Sequence, residues 1–182
     1  MVSDADVDAR TVTEFLADLS ARTPTPAGGA VAALCAAQAA ALVAMVARYC
    51  EDAALVERAE ALLLRAQQLV VDDERAFGAV AVAWGAPADD EGRRAAIDAA
   101  LLAASEPQAQ VVETVIEVLV LIDQLRPAAR PGLRSDLVAA GEVARAGAAV
   151  ARMNVESNVR ELPDSEGRSQ LLRRMGVTKE RN

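Results

Sequence analysis

The stretch Pro24-Thr25-Pro26-Ala27-Gly28-Gly29-Ala30 leads into a run of small apolar residues that carries no charge until Arg48. The prolines fix their own φ angles and keep the preceding residues out of the α region, so we expect an extended entry. A helix is expected to start at or just after Gly28 and Gly29, and its first free N–H groups can bind an anion or a polarised oxygen. Because alanine dominates every face of residues 30–47, we predict a central helix that is buried on all sides.

The composition favours a single helical domain. The chain has 182 residues, and we interpret 1–182 as one domain, with segments 1–9 and 164–182 peripheral. Hydrophobic residues make up 53% of the sequence and aromatic residues only 2%, which favours closely packed helices over a sheet sandwich. The formal charge of −8 argues against nucleic acid as a partner, because phosphate binding needs clustered Lys and Arg.

The absence of histidine restricts the chemistry further. It excludes Ser-His-Asp and Cys-His nucleophile systems and every His-ligated metal site, and we expect no metal site. Cys35 and Cys50 lie on one expected helix, roughly 22 Å apart along its axis, and cannot pair with each other. Reduced cysteines and an N-terminus without a basic, apolar signal segment favour a cytoplasmic protein.

The uncharged run 23–47 is long enough to span a bilayer, but its composition argues against a membrane helix. Alanine contributes little to insertion, Gln38 lies in the middle, and aromatic anchors are not present at both ends. We therefore expect no membrane partner.

Apolar spacing predicts the remaining helices, and no strand pattern is found. Thr11 and Glu14 form a capping box, Pro107 is expected to interrupt or kink its helix, and Ser135 is expected to be an N-cap. Besides the central helix, the predicted helices are residues 11–21, 52–84, 91–125 and 136–160, with a possible short helix at 169–175. The fold class is therefore all-α, a five- to six-helix, mostly antiparallel bundle around the buried Ala-rich helix.

Asp73 interrupts an apolar stripe on the long helix predicted for residues 52–84. It falls between Leu69 and Val70 on one side and Phe77 on the other, where the stripe should continue. An inward carboxylate must be paired, hydrogen-bonded or protonated. Such groups are enriched at active sites, although a structural ion pair gives the same pattern.

Asn154 and Asn158 continue a stripe of small residues on the last long helix. Two stacked carboxamides suit hydrogen bonding to a heteroaromatic ring. A polar contact between two helices explains the same spacing.

Four segments together resemble the C-terminal domain of formiminotransferase-cyclodeaminase, a domain that bacterial methenyltetrahydrofolate cyclohydrolases share. The glycine loop is similar to the family's Pro-x-Pro-Gly-Gly-Gly-Ser signature. The other matching segments are Asp73-Glu74-Arg75-Ala76-Phe77, Ser135-Asp136 and Asn154-Val155-Glu156-Ser157-Asn158. The resemblance covers nearly the whole chain up to Asn158.

The resemblance implies an enzyme of folate one-carbon metabolism, a cyclodeaminase (a lyase) or a cyclohydrolase (a hydrolase), that makes or breaks a C–N bond. It implies a homodimer whose small-molecule substrate is a tetrahydrofolate derivative, with no separate cofactor. The glutamate tail of the folate would need an arginine, and the candidates are Arg48, Arg130 and Arg134. The implied site residues are Asp73 and Asp136 as catalytic groups and Gly28, Gly29, Ser135, Asn154 and Asn158 as substrate-binding groups.

The sequence departs from the family pattern at three places. Ala27 and Ala30 replace the first glycine and the serine of the signature, and Arg130-Pro131-Gly132-Leu133-Arg134 replaces an Asn-rich loop. Two alternatives to the folate reaction therefore stay open. One is an enzyme of the same scaffold that acts on a non-folate imine or amidine in a biosynthetic pathway, and the other is a non-catalytic dimeric helical module.

Overall fold

The computed structural model describes residues 10–160 and 162–176, which form a helical bundle. Across this part of the chain there is no strand, so the all-α prediction is confirmed. A short 3₁₀ helix, Pro131–Leu133, precedes α5. The described residues form six α-helices, which are α1 (Val12–Leu19), α2 (Gly28–Tyr49), α3 (Ala53–Gly85), α4 (Arg93–Leu125), α5 (Arg134–Val159) and α6 (Glu166–Arg174).

The predicted capping box is present at the start of α1. Thr11 Oγ1 accepts a hydrogen bond from the Glu14 N–H at 3.2 Å, and a Glu14 carboxylate oxygen accepts one from the Thr11 N–H at 2.7 Å. Only Phe15 is buried in this helix, while Val12 and Leu16 are 74% and 56% exposed. The helical spacing at α1 therefore identified the helix correctly but overstated how much of its apolar face is covered.

Helix α2 is the centre of the bundle, as predicted, and packs against α3, α5 and α4. Twelve of its residues are buried: Gly29, Ala30, Ala32, Ala33, Ala36, Ala37, Ala39, Ala40, Val43, Ala44, Val46 and Ala47. One face is not covered, because Gln38 and Tyr49 are exposed and Leu42 and Met45 are only half-buried. The prediction of burial on all sides is wrong for this face, since the three neighbouring helices surround only the other sides.

Helix α2 is also long and apolar enough to span a membrane by length and composition, with a mean hydropathy of 2.2 over its most apolar window. That window is 61% buried inside the protein, and the core helix of a soluble bundle has the same character.

Two local expectations are corrected. Helix α4 is not interrupted at Pro107, although an interruption was one of the two outcomes expected there. Helix α5 begins at Arg134 with Leu133 at the N-cap position and no side-chain cap, so Ser135 is not an N-cap. Because the 3₁₀ helix leads directly into α5, the backbone of Ser135 already lies within the helix and not at its N-cap position.

Gly147 allows α5 to lie directly against α2. A Cβ at this position would stand 2.8 Å from the Ala32 carbonyl oxygen and 3.0 Å from the Cys35 Cβ. This close approach brings the C-terminal half of α5 beside the N-terminus of α2. The candidate site lies where these two segments meet α3 and α4.

Candidate active site

Asp73 lies on the buried stripe of α3 and points at the N-terminus of α2. The residue is 6% exposed, and its carboxylate accepts a hydrogen bond from the Ala30 N–H. A Cβ on Gly29 would overlap the carboxyl group, so only a glycine leaves room for it. The sequence predicted that the N-terminus of α2 can bind an anion. In the structure, the carboxylate of Asp73 occupies this position.

Gln108 of α4 joins the carboxylate to α5. Its side-chain N–H₂ donates to Asp73 Oδ1 at 2.6 Å, and its carbonyl oxygen accepts from the Asn154 N–H₂ at 3.4 Å. Gln108 is 1% exposed, and these two bonds satisfy both ends of its amide. Three helices are therefore connected by one polar chain inside an otherwise apolar core.

A cavity of about 110 Å³ opens beside this chain. Its lining residues are Ala27, Gly28, Gly29, Asp73, Phe77, Ala104, Gln108, Asn154 and Asn158. Five of the seven site residues singled out from the sequence, namely Gly28, Gly29, Asp73, Asn154 and Asn158, thus share one cavity. No arginine contacts Asp73 among the residues that the structure describes, so the ion pair expected of a purely structural Asp73 is not found there.

Burial sets the protonation of Asp73. Desolvation raises the pKa of this carboxyl from its ordinary 3.8 to about 6, and the charge of Glu74 acts in the same direction. The hydrogen bonds from Gln108 and from the Ala30 N–H oppose the rise. A carboxyl group with a pKa of about 6 can accept a proton near neutral pH and return it within the same reaction cycle.

Ser135 and Asp136 lie at the other end of α5. Eighteen positions separate Asp136 from Asn154, which is roughly 27 Å along the helix axis. Ser135 is exposed and Asp136 is half-buried, and neither lines the Asp73 cavity. The three candidate arginines also lie far from it. Arg48 is at the C-terminal end of α2, Arg130 precedes α5, and Arg134 lines a separate open cavity of about 460 Å³ with Arg126.

Sequence reasoning missed Gln108. The signal was its place in the series Ala104, Gln108, Val111, Val115, Val118 and Ile122, whose helical spacing marks the buried face of α4. The sequence placed Phe77 on the apolar stripe of α3 and in the family motif, but not in the site. In the structure it lines the cavity and packs edge-to-face on Trp84, with ring centroids 5.7 Å apart.

Asp73 is the single acidic side chain among the described residues that line the cavity. Among residues 10–160 and 162–176 no group of three or more His, Cys, Asp or Glu side chains could hold a metal. What the cavity offers is one carboxylate, three carboxamides and an aromatic edge.

The structure is an all-α domain with a buried carboxylate in a cavity at the N-terminus of its central helix. The formiminotransferase-cyclodeaminase family model matches residues 11–176, almost all of the described chain. The chain therefore belongs to the formiminotransferase-cyclodeaminase family.

Two relatives agree with this assignment. The methenyltetrahydrofolate cyclohydrolase of Methylorubrum extorquens is 32% identical over 169 residues, which cover 85% of this chain and 81% of the relative. The crystal structure of formiminotetrahydrofolate cyclodeaminase from Thermotoga maritima matches with a TM-score of 0.83 and 26% identity, over 93% of this chain and 88% of that one. Both relatives are enzymes by name, so the alternative of a non-catalytic module loses its support.

Proposed function

We propose that this chain is a folate one-carbon enzyme, a methenyltetrahydrofolate cyclohydrolase or a formiminotetrahydrofolate cyclodeaminase. The observation that carries the proposal is the Asp73 carboxylate, buried against Gly29 in a cavity with Asn154 and Asn158 and without an arginine partner among the described residues. The names of the two relatives supply the substrate class.

In the hydrolytic direction, water adds to the carbon of the methenyl bridge, which is flanked by two nitrogens that share a positive charge. The Asp73 carboxylate takes a proton from the water as the C–O bond forms, giving a neutral tetrahedral carbon. The protonated carboxyl then returns this proton to the nitrogen that leaves as its C–N bond breaks. The product carries a formyl group, and the second water proton is released to solvent. This role needs a carboxyl group that is mostly ionised near pH 7, which a pKa of about 6 provides.

In the deaminating direction, the folate nitrogen that does not carry the formimino group attacks the carbon of that group. The Asp73 carboxylate takes the proton of the attacking nitrogen and passes it to the nitrogen that departs as ammonia. The same tetrahedral carbon and the same proton carrier serve both reactions. The negative charge of Asp73 also stabilises the amidinium-like methenyl cation, which precedes the tetrahedral intermediate in hydrolysis and follows it in deamination.

The size of the cavity fits the reacting centre rather than the whole substrate. Its volume of about 110 Å³ is well below the roughly 300–1,000 Å³ of pockets that enclose drug-sized ligands. The one-carbon centre therefore lies beside Asp73, while the rest of the folate extends beyond the mouth of the cavity. Phe77 provides an apolar wall there, supported by Trp84.

The uncovered face of α2 supports the second part of the proposal, a homodimer. It continues onto α5, whose neighbouring outward positions are also uncharged and apolar. The α2 residues on this face are Val31, Leu34, Cys35, Gln38, Leu42, Met45 and Tyr49, and the α5 residues are Ala139, Val143, Ala146, Val150 and Met153. We call these twelve residues the open face. A self-complementary apolar face of this kind suits a second copy of the same chain.

The dimer would also give Ser135 and Asp136 a place in the site. Ser135 falls in register with the α5 part of the open face, four positions before Ala139. If two copies of α5 pair antiparallel about Ala146, the partner's Ser135 and the partner's Asp136 come within about one turn of Asn154 and Asn158. The two residues that lie far from the cavity in one subunit would then reach the cavity of the other.

One observation favours the non-folate alternative. Ala27, which departs from the family signature, lines the cavity, so the substitution changes the wall that faces the substrate. Ala30 is fully buried and offers only its backbone N–H, which donates to Asp73. An imine or amidine outside folate metabolism would use the same proton transfer.

The remaining parts of the proposal are a cytoplasmic location and the absence of a separate cofactor. The free cysteines Cys35 and Cys50 support a reducing compartment. The proton transfer through Asp73 completes both reactions without a redox group.

Turnover of methenyltetrahydrofolate, followed by its absorbance, tests the function directly. We expect the purified chain to accelerate hydrolysis of this substrate, or its formation from formiminotetrahydrofolate, and the Asp73→Asn variant to do neither at a comparable rate. A folded wild-type chain that acts on neither folate would contradict the proposal.

A further inference from the structure

Gln108 is the largest polar side chain in the core, and the function described above gives it no task. Of the four buried polar side chains in the described residues, Ser105 and Thr114 bond to carbonyl oxygens of their own helix, four residues earlier. Gln108 instead bonds only to side chains of two other helices, Asp73 on α3 and Asn154 on α5. This arrangement points to a role in the cavity rather than in the helix that carries it.

We infer that Gln108 is a positioning residue, which holds the Asp73 carboxylate in place and orients Asn154 so that its carbonyl oxygen is offered to an N–H group of the bound molecule. The orientation follows from hydrogen-bond chemistry. An ionised carboxylate only accepts, so Gln108 must turn its N–H₂ towards Asp73. The carbonyl oxygen of Gln108 then faces Asn154, which must donate a hydrogen bond from its own N–H₂.

The direction of these hydrogen bonds leaves Asn154 Oδ1 without a partner among the described residues, at the wall of the cavity. The cavity therefore presents two acceptors side by side, the Asp73 carboxylate and the Asn154 carbonyl oxygen. A ligand that matches them carries an N–H donor next to a positively charged carbon–nitrogen centre. The inference rests on the proposed function for its effect on turnover, whereas the effect on Asp73 itself does not depend on the substrate.

Few charged groups compete with Gln108 at Asp73. Glu74, its neighbour on α3, is bonded to Arg10 at 2.5 Å. The groups that face Asp73 from α2, α4 and α5 are the Ala30 N–H, Gln108 and the two asparagines, all of them neutral. Removing the Gln108 donor should therefore act on Asp73 with little compensation from other residues.

The experiment compares Gln108→Met with Gln110→Met by titrating the Asp73 carboxyl carbon in NMR spectra, its resonance being assigned by its loss in Asp73→Asn. Methionine keeps the length of Gln108 but removes its donor. Gln110 lies two positions further on α4 and bonds to Glu106, so Gln110→Met is a matched control. We expect the pKa of Asp73 to rise by about one unit in Gln108→Met, because a charge-assisted hydrogen bond is lost. It should stay within about 0.2 units of wild type in Gln110→Met.

A wild-type measurement covers the case in which Gln108→Met does not fold. The side-chain N–H₂ resonances of Gln108 should shift with the same midpoint as the Asp73 carboxyl, whereas those of Gln110 should not. Equal titration of Asp73 in Gln108→Met and wild type, or Gln108 resonances that ignore the Asp73 midpoint, would overturn the inference. Neither measurement involves a folate.

Measurements of activity separate the role of Gln108 from the proposed function. In Gln108→Met, the acidic limb of the pH profile for methenyltetrahydrofolate should move up with the pKa of Asp73. KM should rise about tenfold, since Asn154 is free to turn its N–H₂ towards the substrate. An unchanged KM would overturn the part that concerns Asn154. Absence of turnover in the wild type would contradict the proposed function and leave the NMR titration to decide the role of Gln108.

Discussion

Gly29 and Asp73 occupy adjoining space so tightly that a Cβ on residue 29 would stand under 3.0 Å from all three atoms of the Asp73 carboxyl group. At Gly28, one residue earlier, the same atom would meet the Asn154 side chain at an ordinary 3.7 Å. A side chain is therefore excluded at Gly29 but has room at Gly28, although both glycines lie at the start of α2. Gly29 admits the carboxylate to the helix N-terminus, and Gly28 borders the cavity.

This difference gives a matched pair of variants. In Gly29→Ala the carboxylate must move away from the Ala30 N–H, so we expect turnover to fall by about a hundredfold, as for loss of an acid–base group. Gly28→Ala should stay within about threefold of wild type, because its methyl group makes only van der Waals contact. Steady-state rates for the two variants decide the matter. Equal rates would show that the Gly29 contact does not position Asp73.

The pKa of Asp73 also predicts how stability depends on pH. The folded-state pKa of about 6 lies above the 3.8 expected when unfolded, so the folded state binds the proton more tightly between these values. The contribution of Asp73 to the free energy of unfolding is therefore fully present below about pH 4 and is lost as the pH rises to about 6. Relative to wild type, Asp73→Asn should gain about 3 kcal/mol in free energy of unfolding between pH 4 and pH 7.

Urea unfolding of both proteins at these two pH values checks the prediction. Comparing differences removes the contribution of the other carboxyl groups, which titrate in both proteins. A difference that does not change with pH would contradict the raised pKa.

Gly147 and Gly78 form a second matched pair, which tests the packing around the site. Gly147→Ala would place a methyl group against the Ala32 carbonyl and separate α5 from α2, so we expect it to lower the free energy of unfolding by about 1–3 kcal/mol. A Cβ at Gly78 would meet no atom within 4 Å. Gly78→Ala should therefore raise stability by about 0.5–1 kcal/mol through helix propensity. Thermal unfolding of the two variants should move in opposite directions, and a shared direction would refute the close approach.

A mixing experiment tests whether Asp136 acts across the dimer. We expect Asp73→Asn and Asp136→Asn each to be impaired as homodimers. After the two are unfolded and refolded together, about a quarter of all sites should combine an intact Asp73 with the partner's intact Asp136. Activity should recover to about that fraction. If mixing restores nothing, Asp136 does not complete the site of the other subunit. Light scattering before and after an Ala146→Glu substitution in the open face checks that the dimer exists.

The sequence predicted the fold and Asp73 for the same physical reason. Helical spacing shows which side of a helix is buried, and a charged residue on that side, such as Asp73, is conspicuous because burial is costly. Gln108 was missed because an uncharged amide among Ser105, Glu106 and Gln110 resembles an exposed polar segment. The apolar series of α4 that includes Gln108 was the one sequence signal for its burial, and the contacts with α3 and α5 show that it faces inward.

The Ser135 error has a different origin. A serine followed by an aspartate is a common helix start, but the backbone before it decides whether it can cap. Here a 3₁₀ helix over Pro131–Leu133 leads into α5, which begins two residues earlier than the side chains suggest. The uncovered face of α2 could not be foreseen either, since composition shows that a helix is apolar and not which of its sides has a neighbour.

The rate of methenyltetrahydrofolate turnover by Asp73→Asn at pH 7.5 tests the central claim most directly. This substitution keeps the shape of the side chain and removes its ability to accept a proton. We expect a fall of about a hundredfold or more with an unchanged helical circular dichroism spectrum and no loss of stability at this pH. A folded Asp73→Asn variant that retains activity within about threefold of wild type would show that the reaction does not depend on the Asp73 carboxylate.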